Sequence, residues 1–217
     1  MEFKTKLAVM VVAAGALLGA QVPKVDLPPS PRGSAAIQVG GSWSGTGTDR
    51  RYTGGSWITV DYGRPIMRGR ENIFGTGADY GKTVNPTGPV WRAGANETTR
   101  LVTQVALVIG GKTIAAGEYN VLVELKEKAW TLVLSNQPVQ PTFDANDKVR
   151  LSGSTNYDPK FDVVRAPMRL TTSTMSIEQF TIGFADVKPD RGSLYMAWDR
   201  TIATVDFTVA APSPPGP

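Results

Sequence analysis

Short segments in which apolar and polar residues alternate recur along most of this chain. Ile58, Val60 and Tyr62 alternate with polar neighbours, and Phe180 and Ile182 begin a similar segment. This two-residue period is typical of β-strands that have one face on a core and the other in water. No long segment shows a convincing 3.6-residue helical period. About eight such segments, joined by short polar turns, predict a single all-β domain, an antiparallel β-sandwich or jelly-roll-like barrel.

The clearest hairpin prediction lies in the middle of the chain. Residues 119–125 and 130–134 both alternate with period two, and the polar residues 126–128 separate them. Two such runs joined by a short polar turn are typical of a β-hairpin. Residues 101–109 form a nearly continuous β-rich run, which we interpret as one strand.

The N-terminus has the pattern of a secretory signal peptide. Lys4 and Lys6 precede the apolar run Leu7 to Leu18, and the small residues Gly19 and Ala20 follow. Spanning a bilayer takes about 20 apolar residues, so we expect cleavage and no transmembrane segment afterwards. An uncleaved N-terminal anchor is the alternative. The predicted localisation is periplasmic or secreted.

The predicted organisation has four parts. A signal peptide (1–20) precedes an extended, Pro-rich leader (21–36). The β domain follows (37–209), and a Pro-rich tail ends the chain (210–217). Proline lacks the amide donor that a sheet interior needs, so the tail is not expected to join a sheet.

The composition excludes several chemistries. The chain has no cysteine and no histidine, so disulfides, thiolate nucleophiles, His-based triads and His-ligated zinc are excluded. Asp144, Asn146 and Asp147 lack a full calcium-loop pattern and predict a plain turn. The formal net charge of +4 comes without a run of Lys or Arg, which argues against a nucleic-acid partner. We expect no catalytic residue, metal or cofactor, and the composition favours a non-enzymatic role without deciding it.

The most distinctive loop-like sequence spans residues 62–75 and is followed by a second segment at residues 91–96. Its arginines can bind carboxylates or phosphates with two parallel hydrogen bonds. One interpretation is an anion-binding pocket. The other is a structural lattice in which the arginines pair with Asp61, Glu71 and Glu97. The candidate ligand-binding residues are Tyr62, Arg64, Arg70, Trp91, Arg92, Asn96 and Glu97.

The tryptophans raise a carbohydrate-binding alternative. Trp130 and Trp198 are in phase with apolar neighbours, which predicts that they lie in the core. Trp57 lies opposite the apolar face of its strand, and Trp43 lies in a Gly/Ser-rich segment. Trp43 and Trp57 are therefore the candidates for stacking on a glycan.

A longer series of motifs resembles a known family. It includes Tyr62-Gly-Arg-Pro, Arg68-Gly-Arg, Ile73-Phe-Gly and Val90-Trp-Arg-Ala-Gly-Ala-Asn-Glu-Thr, with Trp130-Thr-Leu-Val-Leu, Tyr157-Asp-Pro and Trp198-Asp further on. This ordered series resembles the bacterial family known as domain of unknown function 2911 over roughly residues 30–209. The resemblance implies an exported, mostly β single domain with no established activity, so it transfers no catalytic residue. The chain departs from the family pattern at residues 40–55 and 76–89, where it carries additional Gly- and Thr-rich sequence.

Three functions remain open. The leading hypothesis is a non-enzymatic envelope protein that binds a small anionic ligand or another envelope protein through the arginine loops. The second is a carbohydrate-binding or carbohydrate-active domain that uses Trp43 and Trp57. The third is a structural subunit of an extracellular assembly.

Overall fold

The computed structural model describes residues 25–86 and 88–211. The predicted signal peptide and residues 212–217 of the predicted tail lie outside the described residues. The described residues contain three 3-10 turns, at Gly47–Asp49, Gly77–Asp79 and Pro159–Phe161. Their strands are β1 Arg32–Val39, β2 Ser42–Ser44, β3 Arg51–Thr53, β4 Ser56–Gly63, β5 Thr99–Thr103, β6 Leu107–Ile109, β7 Lys112–Ile114, β8 Gly117–Glu124, β9 Thr131–Ser135, β10 Asp162–Pro167, β11 Arg169–Lys188 and β12 Arg191–Val209.

Two antiparallel sheets make up the domain. The larger has six strands in the order β1-β4-β5-β8-β9-β10, and the smaller has four in the order β11-β12-β6-β7. β2 and β3 form a separate small hairpin between β1 and β4. The prediction of a single all-β sandwich is confirmed. No helix within the described ranges is long and apolar enough to cross a membrane.

The alternation in the sequence decides which residues reach the core between the sheets. Ile58 and Val60 of β4 are fully buried, whereas Trp57 and Asp61 point to the opposite face, called here the outer face. The centre of the core is aromatic, with the Phe74 ring 4.7 Å from Trp130 between centroids. Trp198 is also buried, so the core positions predicted for Trp130 and Trp198 are confirmed.

The predicted hairpin at residues 119–134 is present as β8 and β9, with Val121 opposite Leu134. The run 101–109, by contrast, is not one strand. It divides into β5 of the larger sheet and β6 of the smaller. The chain turns because the Thr103 hydroxyl donates to the backbone oxygen of Val105 (2.7 Å) and accepts from its amide (3.3 Å).

β1 starts at Arg32, inside the segment that the sequence assigns to the leader. Arg32 lies opposite Gly63, and Ala36 lies opposite Thr59. Small residues such as Gly33 and Ala35 give a weak alternation signal, but pairing with β4 holds the segment in the sheet. The domain therefore begins earlier than residue 37.

The β11–β12 hairpin is long and bent. Its strands have 20 and 19 residues, and the register shifts between Thr172 and Ile177. The amide of Val209, at the end of β12, donates to the Asp190 oxygen at the hairpin turn (2.7 Å). A straight strand of this length would separate its ends by about 60 Å. The hairpin therefore folds back on itself, and Asp199 takes a positive φ of 50° in the bend region.

Candidate functional site

The arginine-rich segment after β4 is fastened to the long hairpin. The Arg64 guanidinium donates from Nε to the Phe180 oxygen (3.3 Å) and from Nη2 to Thr181 Oγ1 (3.2 Å). The Phe180 amide in turn donates to the Pro65 oxygen (2.9 Å). Arg64 thus acts as a clamp between the two sheets.

Arg70 closes the turn in which it lies. Its Nε donates to the Met67 oxygen (3.0 Å) and its Nη2 to the Ile66 oxygen (2.7 Å). The guanidinium carbon is 5.7 Å from the ring centre of Trp198, which is within the range of a cation–π contact. Arg70 therefore covers one side of the aromatic core.

Arg92 closes the second arginine segment. Its Nη1 donates to the Asn96 oxygen (2.7 Å). The guanidinium lies against Gly153, where a Cβ atom would come within 2.6 Å of Nη1. Burial lowers the pKa of Arg92 from its usual value. Arg92 thus joins the loop at residues 92–96 to the loop that contains Gly153.

The predicted lattice of arginines with Asp61, Glu71 and Glu97 is wrong. None of the three arginines forms an ion pair with any residue in the described ranges. They bind backbone carbonyl or hydroxyl oxygens instead, because irregular loops leave carbonyl groups that need a partner. Their side chains also do not line either of the two cavities described below.

Tyr62 and Trp91, which the sequence analysis names as ligand-binding candidates, are core residues. Trp91 is 1 % exposed, and its Nε1 donates to the Gly94 oxygen (3.1 Å). The Tyr62 hydroxyl donates to the Ile182 oxygen of the opposite sheet (3.2 Å). Both side chains satisfy their polar atoms inside the fold.

The larger cavity lies on the outer face of the six-stranded sheet and has a volume of about 630 Å³. We call it the outer cleft. Its floor is formed by side chains from β1, β4, β5 and β8, and its roof by the loop between β9 and β10. Of the predicted residues, Asn96 and Glu97 line it, and Tyr62 borders it although its side chain is buried and its hydroxyl bonds inside the core. The lining residues used below are Arg32, Asp61, Glu97, Arg100, Glu118, Val139 and Phe143.

The charged side chains of the outer cleft form two pairs and leave one carboxylate over. Arg32 pairs with Glu97 at 2.5 Å, and Arg100 pairs with Glu118 at 3.0 Å. Asp61 lies directly opposite Arg100 in the register of β4 and β5. Arg100 nevertheless reaches Glu118, and Asp61 forms no ion pair within the described part of the chain. A carboxylate without an ion pair therefore lies on the floor of an open cleft, where the charge of the nearby Arg32 also acts on it.

The roof of the outer cleft is held by hydrogen bonds and a small apolar cluster. The buried Gln137 donates from Nε2 to the oxygens of Val149 (2.8 Å) and Asn156 (2.7 Å). Leu151 is fully buried and packs with Leu122 on the outer face of the sheet. Phe143, by contrast, is 70 % exposed at the edge of the cleft. The roof is thus a fixed loop that presents an apolar side chain to solvent.

Asp147 organises this roof, and its ionisation gives a testable pH dependence. Its Oδ1 accepts from the amides of Arg150 and Val149 (both 2.9 Å), and its Oδ2 accepts from Arg150 Nε (2.5 Å). These bonds lower the pKa of Asp147 to about 2, below the value of about 3.9 in an unfolded chain. The ionised form is therefore the stabilising one. Its contribution should be complete above about pH 4 and disappear as the pH falls towards 2.

The measurement is the stability of the protein against that of Asp147→Asn, by chemical denaturation at a series of pH values. We expect the wild type to be more stable at neutral pH and the difference to vanish near pH 2. Asp49→Asn, which changes an exposed carboxylate on the β2–β3 hairpin, is the matched control. A difference that stays constant down to pH 2 would contradict this role for Asp147.

The second cavity, of about 620 Å³, contains a polar network that sequence reasoning missed. The Tyr157 hydroxyl donates to Asp162 Oδ2 (2.5 Å), and Arg165 Nη1 donates to both groups (3.0 and 2.8 Å). Arg165 also pairs with Glu124. Burial and the bond to Asp162 raise the pKa of Tyr157. Because these groups mostly satisfy one another, we interpret the network as a tie between β10 and β8. In the sequence, only the Tyr157-Asp-Pro motif pointed to this network.

Trp43 and Trp57 are exposed, 59 % and 45 % respectively. Trp43 lies on the β2–β3 hairpin, where Tyr52 packs against it edge-on at 5.3 Å between centroids. The Arg50 guanidinium lies 4.6 Å from the Trp43 ring centre. Arg50 and Tyr52 thereby cover part of the Trp43 ring, although Trp43 is still the more exposed of the two side chains.

A small all-β sandwich with an open polar cleft on one outer face is the class of protein that these features define. Within the described ranges, no group of three or more Asp or Glu residues is arranged to hold a metal ion. The model of the family described as "Protein of unknown function (DUF2911)" matches residues 45–207. The chain belongs to this family, as the motif series indicates. Comparisons with curated proteins and with solved structures gave no match.

Proposed function

We propose that this protein is an exported, non-enzymatic binding protein that holds a small polar ligand in the outer cleft. The observation that carries the proposal is the unpaired Asp61 on the floor of a cavity whose edge is the exposed Phe143. Small-molecule sites commonly have volumes of roughly 300 to 1,000 Å³ and combine apolar surface with a few convergent polar groups. The proposed export rests on the signal-like sequence of residues 1–20.

The character of the cleft supports binding more than catalysis. Its charged side chains are mostly paired with one another on the open surface, and exposed pairs of this kind contribute little energy. A ligand can therefore displace or share these partners at little cost. No lining side chain is a nucleophile activated by a neighbouring base, which covalent catalysis would need.

The test is an NMR titration of the purified protein with a panel of sugars, amines, amino acids and organic acids. We expect at least one compound class to shift the amides of residues 96–98, 139, 140, 142 and 143, which line the cleft. Phe143→Ala and Asp61→Asn should each weaken that binding about tenfold, since each removes about 1.4 kcal/mol of contact. Trp43→Ala and Asp49→Asn are the matched controls. A panel that never shifts the cleft amides would exclude the proposal.

Trp57 supports a glycan-binding surface as the second candidate, because its ring is exposed on the outer face of β4. Aromatic rings on a β-sheet surface can stack on the apolar face of a sugar. The same panel separates the two candidates. Glycan binding that Trp57→Ala abolishes, and that Phe143→Ala leaves unchanged, would assign the function to the Trp57 surface instead of the outer cleft.

A further inference from the structure

We infer that the ligand of the outer cleft is an organic cation, an amine or guanidinium attached to a hydrocarbon or ring portion. The inference rests on the proposed function and adds the chemical class of the ligand. It is opposite in sign to the anionic ligand that the arginine-rich sequence suggests. The arginines behind that expectation, Arg64, Arg70 and Arg92, are committed to backbone and hydroxyl oxygens and do not line the cleft.

The charges that do line the cleft favour a cation. They comprise two arginines and three carboxylates, and no lysine. Each arginine is already paired with a glutamate, Arg32 with Glu97 and Arg100 with Glu118. The surplus is one negative charge, on Asp61. This surplus is local, because the chain as a whole carries a formal charge of +4. A cleft with one sign of net charge concentrates ligands of the opposite sign.

Asp61 is held in place by the sheet. Its neighbours across the strands are Ser34 on β1 and Arg100 on β5. Its carboxylate accepts no side-chain or amide hydrogen bond within the described residues, so its oxygens are available to a donor from outside. A charge-assisted hydrogen bond from an ammonium or guanidinium is stronger than one from a neutral donor. Asp61 is therefore the group that selects for positive charge.

The apolar edge of the cleft favours a ligand that has a hydrocarbon or ring portion in addition to its charged group. Phe143 and Val139 both line the cleft and are both exposed large hydrophobic residues. Single exposed apolar side chains are ordinary on protein surfaces, but here two of them border a cavity with a charged floor. Covering them with a hydrocarbon or ring portion removes apolar surface from water. A small inorganic cation cannot do this, so the ligand is an organic one.

The test uses three probes of similar size and shape: benzylammonium, benzyl alcohol and benzoate. Their dissociation constants are measured by NMR titration at low salt from the amides of residues 96–98, 139, 140, 142 and 143. We expect benzylammonium to bind at least about tenfold more tightly than benzyl alcohol, and benzoate to bind weakest. The advantage of the cation should shrink in 0.15 M salt, where exposed charges are screened beyond about 8 Å.

Variants distinguish a preference for cations from binding at the cleft as such. Asp61→Asn should reduce the advantage of benzylammonium over benzyl alcohol to within about twofold, and Asp49→Asn should leave it unchanged. Three outcomes would overturn the inference and still leave binding at the cleft intact. They are equal binding of benzylammonium and benzyl alcohol, tightest binding of benzoate, and a preference for benzylammonium that survives in Asp61→Asn. Absence of cleft shifts with all three probes would overturn the inference, and absence of shifts with the whole panel of compounds as well would overturn the proposed function.

Discussion

Replacing Trp91 with alanine should destabilise this protein more than any surface substitution. The Trp91 ring packs against Phe180 at 5.0 Å and Phe74 at 5.9 Å between centroids. Its backbone amide and oxygen both bond to Val123. Truncating a buried tryptophan leaves a cavity and costs about 3 to 5 kcal/mol, a large part of the roughly 5 to 15 kcal/mol that stabilises a typical domain. The midpoint of chemical denaturation, followed by circular dichroism, reports the loss.

Trp43→Ala is the matched control for this experiment. Trp43 is the same residue type but is 59 % exposed, and substitutions at such sites usually change stability by less than about 0.5 kcal/mol. Trp91→Phe keeps an aromatic ring and should fall between the two, which provides a measurement if the alanine variant does not fold. A Trp91→Ala variant as stable as Trp43→Ala would show that the aromatic core is not arranged as described.

Gly63→Ala should damage both the fold and the outer cleft. A Cβ atom at Gly63 would lie 1.9 Å from the backbone oxygen of Ala95, far inside contact distance. The Ala95 amide also bonds to the Gly63 oxygen (3.3 Å), so both backbones must move apart. Forced overpacking of this kind typically costs about 1 to 3 kcal/mol. Because Asn96 and Glu97 directly follow Ala95 in the chain, their amide resonances should shift as well.

The control for Gly63→Ala is Gly88→Ala. There the nearest atom to an added Cβ belongs to the Asn85 side chain at 3.2 Å, and a side chain can give way where a backbone cannot. We expect this control to stay close to the wild type in denaturation and to leave the amides of Asn96 and Glu97 in place. A Gly63→Ala variant that matches it in both respects would contradict the close backbone approach.

Alternation along the sequence predicts local structure well, because the two-residue period is a property of each strand by itself. This is why the core positions of Trp130 and Trp198, the outer position of Trp57 and the β8–β9 hairpin follow from the sequence alone. The same signal cannot show where a β-rich run leaves one sheet for the other. Residues 101–109 favour a strand throughout, and only the Thr103 turn divides them.

The two-residue alternation could not predict contacts between residues that are distant in the sequence. Trp91 lies in a glycine-containing loop without a period, and its burial depends on an isolated bridge to Val123. Arg64 binds the backbone of Phe180, and a backbone oxygen has no sequence signature. The floor of the outer cleft likewise unites Asp61 and Arg100 through strand register. Sequence reasoning placed only Tyr62, Asn96 and Glu97 among its lining residues.

The bent β11–β12 hairpin has a consequence for how the chain folds. Its two strands are joined by a very short turn at Pro189 and Asp190, so their pairing closes small loops and carries little entropic cost. β1, in contrast, can take its place only after β4, with which it pairs, and the β11–β12 hairpin, against which it packs, have formed. We therefore expect the hairpin to be among the first elements protected from amide exchange during refolding, and β1 among the last. Folding would then proceed from the C-terminal half towards the N-terminus, opposite to the order in which a ribosome delivers the chain.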